Sequence, residues 1–432
     1  MTDPRATDGS QVDPSLLASL RDLGPDGRIL FTLRTMRMFG YGFLAVILVL
    51  YLAAAGLDPL AIGAVLTLTL IGDTVVSLWL TTHADRLGRR RVLVIGSLLV
   101  VVAGVVFAAT DWLPLLILAG VVGVISPTGN EVGPFLAVEQ SALSEVVPGR
   151  RRTAVFAWYN LVGYVATATG ALAAGLLGQM LIEAGWPELD AYRAVVVAYA
   201  GIGLAMAAVA SRLGPGIEVP RSAAAAAADD GITRRLGLGR SRSVVLRLSA
   251  LFSIDAFAGG FIPQSLMAYW FSLTFGVGPA ELGAIFFAAN LLAAVSSLSA
   301  ARIAARIGLI RTMVFTHLPS NVLLILVPLM PTLPLAVAVL LLRYSLSQMD
   351  VPTRQSYVMA VVDPDERSAA AGVTGIARTV GASVSPSIST VLVASAGTAA
   401  IPFYLAGSLK ILYDLLIYRD FRAVRPKEEV GG

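Results

Sequence analysis

The sequence of 432 residues contains no cysteine, only two histidines and few charged residues. The lack of cysteine excludes disulfides, thiolate metal sites and cysteine nucleophiles. His83 and His317 are too few for a multi-histidine metal centre, so we expect neither a metal nor another cofactor. Charged side chains make up 14% of the chain, whereas typical soluble domains carry about 25%. These absences argue against a soluble metalloenzyme.

Apolar residues dominate what is present, at 56% of the chain. The formal net charge of +4 does not indicate nucleic-acid binding, because the basic residues stand in short groups between apolar runs. The first 28 residues are polar and contain proline. They predict a tail and not a cleaved signal peptide, which needs an early apolar core. The composition therefore predicts a membrane protein.

Twelve apolar runs follow one another along the chain. A helix crosses a bilayer core of about 30 Å with about 20 apolar residues. Lipid-exposed backbone must form its hydrogen bonds internally, so each run is predicted to be an α-helix. The fold class is therefore an all-α polytopic membrane protein with twelve transmembrane helices. The predicted segments are residues 29–53, 59–81, 92–110, 113–143, 153–181, 191–212, 244–273, 278–300, 312–330, 333–359, 368–395 and 399–418.

The basic residues predict the topology. They concentrate in the tails, in the connection after the sixth segment and in alternate loops, whereas Arg193 stands alone among the opposite loops. Because arginine and lysine remain on the cytoplasmic side, we expect both termini to be cytoplasmic. The predicted divisions are a tail (1–28), an N-terminal six-helix half (29–212), a linker (213–243), a C-terminal half (244–418) and a second tail (419–432).

The two halves contain a weak internal repeat. "VVSLWLTTHADRLGRRR" aligns with "VSSLSAARIAARIGLIR", so that Arg86 matches Arg306 and Gly88 matches Gly308. Six crossings per half return the chain to the same side, which makes the repeats parallel. Parallel repeats place their pseudo-symmetry axis along the membrane normal and a shared site near the bilayer midplane.

The loop "HADRLGRRR", residues 83–91, carries a recognisable motif. Its D-R-x-G-R-R pattern resembles the loop signature of the major facilitator superfamily, although Thr81 replaces the leading glycine. An acid and an arginine with six residues between them follow the fourth segment, as in that family. The resemblance covers about residues 29–418. The matching residues are Asp85, Arg86, Gly88, Arg89, Arg90, Glu145 and Arg152.

The resemblance implies alternating access, with the first, fourth, seventh and tenth helices lining a central cavity. We expect the motif residues to act as a conformational latch at the cytoplasmic side, with Glu145 as a partner for Arg86 or Arg89. Asp85 has only Ala305 opposite it in the repeat, so its role belongs to the first half. A cross-half contact between Glu139 and Arg354 is predicted as a gate.

The fourth segment contains the stretch "SPTGNEVGPFLAVEQSAL", whose prolines and glycines predict an interruption near mid-membrane. Interrupted helices are tolerated where they line a cavity. Asn130 and Glu131 lie at this interruption. Burial makes the charged form of a carboxylate costly, so Glu131 is a candidate for substrate binding or proton exchange. The alternative is a salt bridge from Glu131 to an arginine of the first or tenth segment.

Further ionisable residues lie inside the apolar segments, where they are functional candidates by default. Asp73 can alternatively make a structural hydrogen bond, and Asp350 can pair with Arg354 one helical turn away. For Arg378 and for a Lys410–Asp414 pair we expect a structural role. The candidates for substrate or proton coupling are Arg37, Asp73, Asp255, Arg343 and Asp350.

The sequence therefore predicts a proton-coupled secondary transporter of a small organic solute, acting as a monomer in the plasma (inner) membrane. Efflux of drug-like compounds is the favoured assignment, and uptake or exchange of an anion at the cavity arginines is the alternative. No phosphate-binding G-x-x-x-x-G-K-[ST] loop indicates nucleotide-driven transport. A membrane sensor or an intramembrane enzyme is the alternative from another class, but H-E-x-x-H and G-x-S-x-G motifs are lacking.

Overall fold

The structure is a computed structural model that describes residues 23–130, 134–147, 152–218, 239–363 and 366–422. Helices dominate these residues, and no strand occurs among them. The helices are α1 (Pro25–Ala54), α2 (Pro59–Thr82), α3 (Ala84–Leu87), α4 (Arg89–Ala109), α5 (Leu113–Val122), α6 (Phe135–Val146), α7 (Arg152–Glu183), α8 (Glu188–Ala210), α9 (Arg242–Gly260), α10 (Gln264–Phe275), α11 (Pro279–Ile307), α12 (Leu309–Leu326), α13 (Leu333–Ser347), α14 (Asp350–Val361), α15 (Arg367–Val393) and α16 (Ile401–Phe421).

Ten helical stretches in the described part of the chain are long and apolar enough to cross a membrane. The fourth and tenth predicted segments are each split, into α5 and α6 and into α13 and α14. With these two segments the bundle accounts for the twelve predicted crossings. The predicted all-α polytopic fold is confirmed, and the interruption predicted in the fourth segment is present. The prediction of single helices at 244–273 and 333–359 was wrong.

The three interruptions have proline as a common cause. Proline has no backbone N–H to donate, and its ring clashes with the carbonyl one turn before it. Pro134 directly precedes α6, and Pro263 directly precedes α10. Pro352 lies in the first turn of α14, so the carbonyl of Gln348 has no amide partner at that position and α13 ends at Ser347. Residues at each break line cavities between the helices.

Gly88 and Gly308, the glycines aligned by the repeat, share an unusual backbone conformation. Their φ angles are +95° and +86°, a region that side chains with a Cβ rarely adopt. Gly88 separates α3 from α4, and Gly308 separates α11 from α12. The two halves therefore make the same sharp helix-to-helix turn at equivalent positions, in agreement with the predicted repeat.

We call the end of the bundle where α2 ends and α15 begins the basic end, and the other end the opposite end. The two halves meet most closely at the opposite end. α7 packs along α11, and α2 packs along α15. A Cβ at Gly175 of α7 would lie 2.2 Å from the carbonyl oxygen of Pro279 in α11, so this close helix crossing requires glycine. At the same end, Thr67 Oγ1 of α2 lies 2.7 Å from Ser387 Oγ of α15. These contacts close the opposite end.

The outer surface of the bundle is apolar. Large hydrophobic side chains such as Val75, Trp79, Val105, Leu176 and Leu204 are exposed on its helices. Such a surface would favour aggregation in water. It is the expected surface of helices whose surroundings are lipid.

Candidate functional site

A cavity of about 400 Å³ lies between the two halves, and we call it the central cavity. Its walls come from α2, from the break before α6, and from α9 and α12 to α16. Both Pro263 and Asn130, at two of the helix breaks, face it. It brings together six of the predicted site residues, namely Asp73, Asn130, Asp255, Arg343, Asp350 and Arg354.

Two further spaces adjoin the central cavity. A groove of about 730 Å³ at the basic end shares Arg354 and Arg378 with it, and residues of α6, α14 and α15 line this groove. A smaller space of about 150 Å³, which we call the side chamber, shares Asn130, Arg343 and Lys410 with it. The central cavity therefore continues toward the basic end, while helix contacts close the opposite end.

Asp255 of α9 is the hub of a buried charge cluster. Its carboxylate lies 2.5 Å from Lys410 Nζ, and 3.2 Å from a guanidinium nitrogen of both Arg354 and Arg378. The residue is only 3% exposed, so an unpaired charge here would cost several kcal/mol, roughly the penalty of burying a lone ion. Three helices of the C-terminal half thus converge on one carboxylate.

His317 of α12 extends this cluster. Its Nε2 lies 4.0 Å from Asp255, and its Nδ1 lies 2.9 Å from Asp414. Asn321 donates a second hydrogen bond to Asp414 at 2.9 Å. The predicted Lys410–Asp414 pair was therefore wrong, because the two side chains leave α16 toward different neighbours.

Asp350 and Arg354 form the predicted pair, with 2.8 Å between Oδ2 and the guanidinium. Arg343, two turns before Asp350, behaves differently. It is 8% exposed, its Nε has no hydrogen-bond partner among the described residues, and its guanidinium lies 5.1 Å from the ring centre of Tyr344. Arg343 is thus a buried cation that makes no ion pair within the described part of the chain.

Cations outnumber carboxylates in the described lining of the central cavity. Arg343, Arg354, Arg378 and Lys410 face it together with His317. The carboxylates there are Asp73, Asp255 and Asp350. Asp73 is 7% exposed and accepts a hydrogen bond from Ser77 at 3.1 Å. The cavity can therefore attract anionic groups.

A second buried cluster lies within the N-terminal half. Arg37 of α1 and Tyr159 of α7 both donate hydrogen bonds to Glu139 of α6. Arg37 is 1% exposed and Glu139 is fully buried. Glu139 and Arg354 thus belong to separate clusters, and the predicted gate contact between them is not formed in this conformation, because each has closer partners in its own half.

The motif loop at the basic end is held by a residue that the sequence reasoning missed. Glu218 accepts hydrogen bonds from the backbone N–H groups of Arg89, at 2.8 Å, and Arg90, at 3.1 Å, where α4 begins. The Arg89 side chain donates to the carbonyl of Ile217 at 3.0 Å. An anion at a helix N-terminus is favoured by the unpaired N–H groups and the helix dipole.

The predicted partner of Glu145 is present in the structure. Glu145 lies 3.9 Å from Arg89, whereas Arg86 and Arg90 are exposed. Glu145 is itself 57% exposed, so this contact contributes little on its own. Of the latch residues, Arg89 and Glu145 therefore meet at the start of α4, and Glu218 at the start of the linker is the main anchor there.

Three predicted site residues cannot be placed. Glu131 lies outside the described residues, as do the side chains of Asp85 and Arg152. Among the described residues, no group of three or more metal-ligating side chains is arranged to hold a metal ion. The described geometry instead centres on the C-terminal charge cluster.

His317 was missed as a site residue, although a signal for it exists. It stands alone in the apolar stretch "MVFTHLPSNVLL", and an ionisable residue inside such a segment is a functional candidate. Glu218 carries no comparable signal, since an acid in a polar linker is usually solvated. Only the fold brings Glu218 to α4.

Comparison with protein-family models gives one family. The family model described as Major Facilitator Superfamily matches residues 30–386 and 250–431. The uncharacterized membrane protein YJR124C of Saccharomyces cerevisiae is 28% identical over 439 residues, covering 96% of this chain and 98% of that protein.

Solved structures with the same fold include a D-xylose–proton symporter, with a TM-score of 0.69 at 14% identity, covering 94% of this chain and 98% of that one. The human organic anion transporter MFSD10 has a TM-score of 0.61 at 16% identity, covering 91% and 100%. At these identities the likeness establishes the fold alone.

Proposed function

The chain belongs to the major facilitator superfamily, and from that premise we propose that it couples protons to the movement of a small, polar, anionic organic solute. Membership of this family makes the chain a multi-pass membrane protein and a secondary transporter of small molecules. It points to a transporter rather than to an enzyme. Proton coupling, solute class and membrane are the parts that we propose.

The observation that carries the proposal is the cluster around Asp255. A proton on this carboxylate would remove the negative charge that Lys410, Arg354 and Arg378 share. The released cations would then favour an anion in the central cavity, which links proton binding to solute binding. Thermodynamic linkage makes such a coupling reciprocal.

The surplus of cations supports an anionic solute over the drug-like, largely apolar one that the sequence first favoured. Small-molecule sites for apolar ligands are lined mainly by hydrophobic and aromatic side chains. The central cavity is instead faced by Arg343, Arg354, Arg378 and Lys410. The organic anion transporter with the same fold adds an analogy. Direction of transport is an outcome of the flux experiment.

For the topology we propose that the basic end and both termini face the cytoplasm. We further propose that the protein is a monomer in the plasma (inner) membrane. The arginine-rich loops support this orientation through the positive-inside rule. In that orientation the conformation described here is open toward the cytoplasm, because the groove beyond Arg354 and Arg378 leads that way.

Flux measurements in proteoliposomes test the proposal. Labelled organic anions should accumulate only under a proton gradient, and Asp255→Asn should abolish this accumulation while retaining exchange at equal pH. The control is Asp190→Asn, which removes a half-exposed carboxylate at the opposite end. Flux that ignores the gradient in the unsubstituted protein would refute proton coupling.

A further inference from the structure

Two side chains that line the side chamber each have a buried nitrogen atom without a hydrogen-bond partner among the described residues. These atoms are Nε of Arg343, from α13, and Nε2 of Gln264, from α10. Both side chains line the chamber, and they are 8% and 5% exposed. Buried donors without an acceptor are rare, because each loses its hydrogen bonds to water.

The orientation of the Gln264 amide follows from its neighbour. The Asn290 side-chain nitrogen donates to the Phe286 carbonyl at 2.8 Å, which identifies it as a donor. It also lies 3.2 Å from Gln264 Oε1, which must therefore accept. The Nε2 donor of Gln264 is the atom left without a partner.

From this geometry we propose that the side chamber binds the carboxylate head of a monoanionic solute, a conclusion that rests on the proposed function and assigns the anion a place. Arg343 offers a planar fork of donors that matches the two oxygens of a carboxylate. Gln264 supplies a further donor at the same chamber. The rest of the solute occupies the central cavity.

The charge of the surroundings selects a single negative charge. Lys410 also lines the chamber, but its ammonium is already 2.5 Å from Asp255. Arg343 is then the cation of the described lining that makes no ion pair within the described residues. A dianion such as sulfate would bring two charges to one available cation and leave an excess charge buried.

The size of the chamber fits a headgroup and excludes a whole drug-sized molecule. Its 150 Å³ equals the liquid volume of about five water molecules at ~30 Å³ each. Drug-sized ligands occupy sites of about 300–1,000 Å³. The chamber therefore takes one end of a solute whose body extends past Arg343 into the central cavity.

Thermal unfolding of the purified full-length protein at pH 7 tests this assignment. The probes are acetate, lactate, benzoate and nicotinate, each compared with its own neutral amide, together with the dianion sulfate. A ligand that binds only the folded state raises the melting temperature with its concentration. We expect at least one carboxylate to stabilise the protein while its amide and sulfate do not.

Three variants localise the effect. Arg343→Gln should remove the carboxylate response, and Gln264→Leu should weaken the apparent affinity roughly tenfold, the loss of one charge-assisted hydrogen bond. Arg302→Gln, which removes an exposed arginine of α11, should leave the response unchanged. Should Arg343→Gln not fold, Arg343→Lys keeps the charge without the fork and should bind more weakly than the unsubstituted protein.

Several results would overturn the assignment. They are an equal response to acid and amide, a stronger response to sulfate, no response to any carboxylate, or an unchanged response in the Arg343 and Gln264 variants. The binding measurement needs no gradient. Flux that ignores the proton gradient would therefore refute proton coupling and leave the chamber assignment standing. Equal stabilisation by an acid and its amide would refute the chamber assignment and leave proton coupling standing.

Discussion

At the scale of single residues, the protein concentrates buried charge in two clusters of different character. The cluster around Glu139 lies within the N-terminal half, where Glu139 accepts hydrogen bonds from Arg37 and Tyr159. The cluster around Asp255 instead faces the central cavity. Buried ion pairs are weak contributors to stability, so their maintenance at a cavity suggests a functional use.

Outside the membrane-spanning segments, Glu366 joins two helices of the C-terminal half through hydrogen bonds. Its carboxylate accepts the backbone N–H groups of Gly239 at 2.7 Å, Arg240 at 3.0 Å and Ser241 at 2.9 Å, just before α9. These hydrogen bonds hold the pKa of Glu366 below its usual value of 4.5, and the bond from the Ser241 backbone has the largest effect. The ionised form is thereby favoured in the folded state.

We predict that Glu366→Gln lowers the melting temperature at neutral pH and that the difference from the unsubstituted protein shrinks in acid. A lowered pKa stabilises the fold above the ordinary pKa, and this contribution is lost as the pH falls below about 4.5. Melting temperatures between pH 7 and pH 3 measure the effect. Glu281→Gln, at an exposed carboxylate, is the control. A difference that persists undiminished at pH 3 would contradict the prediction.

At the scale of helices, the interruptions place polar residues on the walls of the cavities. The breaks before α6, α10 and α14 each coincide with a proline. Each break brings a polar residue to the cavities, and these residues are, in the same order, Asn130, Gln264 and Gln348. Proline positions are readable in the sequence, so Pro352 could have predicted the third break. The length of each break could not be predicted, because neighbouring helices determine how far the chain stays unwound.

The turn between α3 and α4 gives a prediction at this scale. Gly88→Ala should destabilise the fold by about 1–3 kcal/mol, because φ of +95° strains any residue with a Cβ. The strain would also move the start of α4 away from Glu218. Unfolding in denaturant measures the cost.

The matched control is Gly372→Ala, a helical glycine of α15 whose added Cβ would meet open space. Alanine favours a helix interior over glycine by about 1 kcal/mol, so this variant should be neutral or stabilising. Equal destabilisation by both substitutions would show that the turn at Gly88 tolerates a side chain.

At the scale of the whole molecule, the structure is closed at the opposite end and open toward the basic end. Alternating access requires that the contacts between α2 and α15 and between α7 and α11 separate during each cycle. The Thr67–Ser387 contact of 2.7 Å lies at this closure. Transport should therefore stop when the two helices are joined there.

Because the chain contains no cysteine, this expectation can be tested directly. The double variant Thr67→Cys and Ser387→Cys should form a disulfide on oxidation, since the two side-chain oxygens already lie in contact. Oxidation should reduce flux to background, and reduction should restore it. Each single cysteine variant serves as its control, and undiminished flux in the cross-linked protein would exclude opening at this end.

The sequence by itself determined the membrane class, the number of crossings, the family motif and most of the charged residues that reach the cavity. These properties depend on local composition and spacing: a bilayer requires long apolar runs, and each buried charge stands out against them. Asp73, Asp255, Arg343, Asp350 and Arg354 were identified in this way.

Only the tertiary structure decided which charges pair. Lys410 and Asp414 are one turn apart on α16, yet one contacts Asp255 and the other contacts His317. Glu218 reaches α4 across more than a hundred residues of chain. Buried charges take the partners that surround them in space, because desolvation penalises every unpaired group, and helix packing determines which groups those are.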